Sequence, residues 1–129
     1  MENNFEKVKN YLLDLEYSIT VADEASGTLV INKEDEGIKN MVLVCADPIL
    51  IMEQPLFTIK NDDVNVFKIL LAQNRQIVHG AFAIDETDTV LFRDTLQLES
   101  LDLNEIEGSL NSLSMLLSEF GNKILEFSK

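Results

Sequence analysis

The sequence predicts an α+β fold, a single-domain antiparallel β-sheet packed with three helices in the order helix, strands, helix, strands, long C-terminal helix. Three observations predict it. Apolar residues recur at helical spacing near both ends of the chain and once in its middle. Short runs rich in Val, Ile, Phe and Thr, bounded by Gly, Pro, Asn and Asp, fill the two intervals between. No repeat, linker or low-complexity stretch interrupts the series, and 129 residues fall within the usual length of one domain, so residues 1–129 are expected to share one core.

The first helix is expected over about residues 4 to 16, where Phe5, Val8, Leu12 and Leu15 keep helical spacing and Glu6, Lys7, Lys9, Asn10 and Asp14 take the other side. Asn3 and Glu6 offer it a capping pair. Ser18 to Ala22 and Thr28 to Asn32 read as a hairpin turning at Ser26-Gly27. The charged loop from Lys33 ends at Gly37, a residue able to take positive φ. The runs Met41–Ala46 and Ile49–Met52 lack polar alternation, which predicts strands covered on both faces. Asp47-Pro48 between them fits a type I turn and an antiparallel pair. Pro55 suggests an edge or a bend before Leu56–Ile59.

Asn61-Asp62-Asp63 supplies a cap for a second helix over about residues 63 to 75. Val64, Val66, Phe67, Ile69, Leu70, Leu71 and Ala72 wrap most of its circumference, so it is expected to be buried on more than one side. Gly80–Asp85 and Thr89–Thr95 form another antiparallel pair, giving a sheet of five or six strands. After the Asp102 and Glu105 capping pair, Ile106, Leu110, Leu113, Leu117, Phe120 and Ile124 mark a helix of about 25 residues, or ~37 Å. That stripe suits packing on the chain's own sheet more simply than a coiled-coil seam. So much apolar strand and helix surface asks for a symmetric partner, and a homodimer is expected.

With 23 acidic and 10 basic side chains the formal net charge is −13. Such a field repels phosphate polyanions and anionic membrane surfaces, which argues against nucleic acid and favours basic or apolar partners. One cysteine, Cys45, excludes an intrachain disulfide, and a reducing cytoplasm fits. The start Met1-Glu2-Asn3-Asn4-Phe5-Glu6 has neither the basic nor the apolar part of a signal peptide, and no run approaches the ~18 apolar residues of a membrane span. A soluble protein without membrane insertion is expected.

Chemistry-bearing constellations are not evident. His79 is the only histidine and has no cysteine or second histidine at ligand spacing, so it reads as a turn residue bonded to backbone. Cys45 lies in an apolar strand and reads as core. The carboxylate pairs Asp62/Asp63, Asp85/Asp88 and Asp102/Glu105 sit where caps and turns explain them, and no loop has the calcium-binding spacing. No phosphate loop or nucleophile elbow is visible. The expectation is therefore no enzyme, no cofactor and no metal. Gly108 and Gly121 inside the last helix point to a close approach or a bend. Whether Arg93 and Asp94 pair or point apart stays open.

Five stretches carry a resemblance that covers nearly the whole chain: Gly37-Ile38-Lys39-Asn40, Asp47 to Gln54, Val78-His79-Gly80-Ala81-Phe82, Leu91 to Leu96 and Leu101 to Glu105. In these the chain resembles the YbjN-like and type III secretion (Tir) chaperone-like group. The resemblance implies a helix-flanked, strongly twisted antiparallel sheet, a homodimer and no enzymatic activity. It also implies a polypeptide partner, held as an unfolded segment over apolar patches or as an added strand at a sheet edge. On that basis Leu50, Met52, Leu56 and Phe57 are candidate partner contacts, and Val66, Phe67, Ile69 and Leu70 are candidate dimer contacts. YbjN-type relatives suggest a second reading, a sensory or stress-response regulator, or a scaffold, that binds a folded partner.

Overall fold

In the computed structural model, which describes residues 3–60 and 64–129, the predicted order of elements is present. Helix α1 spans Asn4–Asp14, and the Asn3 side chain caps it by accepting from the Phe5 and Glu6 amides. Strands β1 (Ser18–Asp23) and β2 (Thr28–Lys33) form the expected hairpin. Gly37 closes the charged loop at φ 79°, as its position suggested, and a Cβ there would come 2.9 Å from Leu117 Cδ1. Strands β3 (Ile38–Ala46) and β4 (Ile49–Thr58) follow, then helix α2 (Val64–Asn74), β5 (Ala81–Ile84), β6 (Thr89–Gln97) and helix α3 (Leu103–Phe127). The cap expected at Asn61-Asp62-Asp63 lies outside the described residues.

All strand pairs among the described residues are antiparallel, in the order β1-β2-β3-β4-β6-β5. The Asp47–Pro48 peptide, which is cis, links β3 and β4 as the expected antiparallel pair. Pro55 stands where the strand loses one neighbour and bends, in line with the edge or bend expected: the pairing of β3 with β4 reaches only Glu53, and a bulge lies between Pro55 and Phe57. Pro55 pairs with Leu91 of β6 alone, so a residue without an amide hydrogen is tolerated there.

The three helices share one core with a single face of the sheet. From α1 come Phe5, Val8 and Leu12, from α2 Leu70, and from α3 Ile106, Leu110, Leu113, Leu116, Phe120 and Ile124. Each large apolar side chain buried in this way contributes about 1.5–3 kcal/mol, so α3, with six, holds the layer in place. Its N-cap Asp102 accepts from the Glu105 amide, as the sequence suggested. Its far end is fixed by contacts among Phe57, Phe82, Phe120 and Phe127, with ring centroids 5.8–6.4 Å apart. Gly80, at φ 85°, lets the chain enter β5 against Phe92, where a Cβ would stand 2.7 Å from Phe92 Cε2.

The expectation of two covered faces for β3 and β4 is corrected. Met41, Leu43, Leu50 and Met52 are fully buried beneath the helices, whereas Val42, Val44, Ile49 and Ile51 stand on the opposite face, outside the core cluster. Side chains alternate along a strand, and the helices pack on one side only.

Candidate protein-binding surfaces

Strand alternation decides which predicted contact residues can be touched. Leu50 and Met52 fill the core and Phe57 is nearly as buried, so these three are corrected from surface to core residues. Leu56 is half-buried and lines a groove of about 470 Å³ between α3 and the β3–β4 region, together with Pro55, Leu117, Gly121 and Leu125. A Cβ on Gly121 would meet nothing within 4 Å, so this glycine widens the groove and makes no close approach. At Gly108 a Cβ would meet His79 at 3.5 Å, an ordinary contact.

Among the predicted dimer residues, Leu70 faces inward and Val66 packs against the core, while Ile69 is exposed and Phe67 lines a second groove, about 300 Å³, between α2 and β5. The expectation that α2 is buried on several sides is corrected for the single chain. Leu70 is its only buried residue, and Val64 and Leu71 are 62% and 68% exposed. Val64 and Leu71 were not singled out as contacts, although their place in the apolar wrap of α2 was a signal for them. Ile84, also exposed, lines the same groove as Phe67 and Leu71, and Val78, 80% exposed, lies beside His79 near α3.

The two edges of the sheet differ. At β5 the Asn74 side chain accepts from the Phe82 amide at 2.8 Å and donates to the Phe82 carbonyl at 3.3 Å, covering that edge as a neighbouring strand would. At β1 five of six residues are exposed, including Val21. Residues Arg93 and Asp94 point apart. Arg93 pairs with Glu53 on the open face of the sheet, and Asp94 accepts from the buried Ser109 hydroxyl of α3 at 2.5 Å.

Ser112 Oγ on α3 donates to the His79 carbonyl and accepts its amide, so this turn is tied to the helix through backbone, as expected for a turn histidine. Cys45 packs against the core, and its thiol is pushed up from the ordinary range first by burial and then by Asp47, which disfavours the thiolate. Among the described residues no three His, Cys, Asp or Glu side chains are placed to hold a metal ion. No helix among them is long and apolar enough to cross a membrane.

A six-stranded antiparallel sheet with helices on one face, an apolar α2 left in solvent and one open edge is the architecture of a protein-binding scaffold. The chain belongs to the CesT_Tir_1 family, whose profile matches residues 1–129. No curated protein matches it. Among solved structures it is similar to YbjN, a putative transcription regulator from E. coli, at 14% identity and TM-score 0.72 over 92% of each chain. It is also similar to a chain of the HopA1-SchA chaperone-effector complex, at 15% identity and TM-score 0.65 over 89% of this chain and 91% of that one. A chain of the ExsC-ExsE complex matches at 18% identity and TM-score 0.56, covering 92% and 94%. At these identities the likeness shows a shared fold.

Proposed function

We propose that the protein is a non-enzymatic, chaperone-like module that works as a homodimer and holds a segment of another polypeptide. The observation that carries this reading is the apolar groove between α2 and β5, lined by Phe67, Leu71 and Ile84, with Leu71 68% exposed on a chain of net charge −13. An exposed apolar patch on an otherwise charged protein marks an interface. This patch beside α2 suits a second copy, since a two-fold axis brings the same patch to itself. An extended segment fits the uncovered β1 edge, where main-chain hydrogen bonds are on offer, and the groove beside Leu56. Family membership supports the reading, as does the fold shared with a chain of a chaperone-effector complex.

Two measurements test it. The sedimentation mass is expected at twice the 14.6 kDa of one chain, and Leu71→Asp, at an exposed position outside the core, is expected to return it to that of one chain because it would bury an unpaired charge between copies. Capture of the tagged protein from its source cells, followed by limited proteolysis, is expected to show a partner protected over an extended segment. A wild-type mass of one chain defeats the dimer. The fold shared with YbjN favours a second reading, a regulator or scaffold that binds a folded partner, and protection of a whole folded domain is the result that supports it.

A further inference from the structure

The face of the sheet away from the helices carries six β-branched aliphatic side chains: Val21, Val30, Val42, Val44, Ile49 and Ile51. The register places them side by side. Val21 pairs with Val30, Val30 with Val42, Val44 with Ile51, and Ala46 with Ile49. None belongs to the core or packs against it. At one end of the stripe stand Asp23, beside Thr28, and the exposed Asp47; on its flank, Arg93 pairs with Glu53.

We infer that this face docks an amphipathic helix of a partner protein, with an apolar stripe facing the sheet and Lys or Arg along its flanks. The inference rests on the protein-binding dimer reading above and adds to it the surface and the chemistry of its partner. Three arguments select that occupant. First, the neighbouring strands use the backbone groups of β2, β3, β4 and β6, so this face offers none to a ligand. An extended segment laid across it would strand its own amides and carbonyls against aliphatic side chains, whereas a helix satisfies its backbone internally. Second, Arg93, a cation of this face, is already paired with Glu53, leaving Asp23 and Asp47 to select basic flanks. Third, a second copy is disfavoured, because a second two-fold interface besides that of α2 would gather four or more subunits, each carrying −13, and would set the acidic Asp23 and Asp47 of one copy near those of another.

The test uses the full-length protein and a fluorescein-labelled synthetic peptide of about 20 residues, helical, with Leu on one stripe and Lys elsewhere. Anisotropy titrations compare it with a peptide of identical composition whose leucines are dispersed around the helix. The striped peptide is expected to bind at least about tenfold more tightly, and Val42→Asp or Ile51→Asp to weaken it on the order of tenfold. The double variant Val42→Thr/Ile51→Thr keeps β-branched residues in both strands, so it preserves the fold, checked by circular dichroism, and is expected to weaken binding in the same direction. Leu71→Asp is expected to leave peptide binding unchanged. Equal binding of the two peptides, or binding unaffected by the Thr pair, overturns the proposal. Loss of dimer mass in the Thr pair also overturns it, since a second copy would then cover this face. If no peptide binds while Leu71→Asp still halves the mass and a partner is still captured, this inference fails and the dimer reading stands; an unchanged mass in Leu71→Asp with peptide binding intact does the reverse.

Discussion

Gln54 shows how much one side chain can decide. It is only 3% exposed, its Oε1 accepts the Lys39 amide at 3.1 Å, and its Nε2 donates to the Gly37 carbonyl at 3.0 Å, joining β4 to the start of β3. Replacement by Leu keeps the volume but leaves two backbone groups without partners, and is expected to lower stability by about 1–3 kcal/mol in urea unfolding. An unchanged midpoint would mean that water reaches both groups. Tyr17, another buried polar residue, has its phenol pushed upward by burial first and by the Glu36 carboxylate next. Because the folded value lies above the unfolded value of about 10, its contribution is whole below that pH and is lost as pH rises beyond it. Tyr17→Phe is therefore expected to flatten the alkaline loss of stability, read as urea midpoints from about pH 8 to about pH 11. Neither role was legible in the sequence: Gln54 follows Glu53 in the strand with nothing to mark it as buried, and its partners are 15 and 17 residues away.

At the scale of elements, the chain writes its helices and strands plainly but not their surroundings. The stripe of α3 and the cap at Asp102 are local patterns, and both are found where the spacing put them, except that Leu116 and not Leu117 is the buried residue between Leu113 and Phe120. Helix α2 is the contrasting case. Its apolar wrap predicts cover on more than one side, yet only Leu70 is buried within the chain. The same helix carries Asn74, whose amide covers the edge of β5 at Phe82. Asn74→Ala is expected to uncover that edge, to cost about 1–2 kcal/mol, and to speed hydrogen exchange at the Phe82 amide on the order of tenfold. Exchange at the wild-type rate would show that the packing of α2, and not the side-chain bonds, protects the strand.

At the scale of the whole molecule, charge acts against compactness. Among the described residues two ion pairs, Lys33–Glu36 and Arg93–Glu53, stand against a net charge of −13. Raising NaCl from about 20 mM to about 500 mM is expected to raise Tm by a few degrees and tighten self-association, because screening removes repulsion faster than it weakens exposed pairs. A falling Tm would reverse that ordering. Sequence alone determined the class of fold, the order of elements, the length of α3 and the acidic character that narrows the choice of partners, since each is a local pattern or a sum over residues. Tertiary structure decided which face of each strand is inside. The runs Met41–Ala46 and Ile49–Met52 are apolar at odd and even positions alike, so nothing local separates Leu50 and Met52 from Ile49 and Ile51. Only the side on which the helices pack makes the first pair core and leaves the second on the open face, because a strand's two faces are equivalent until one of them is covered.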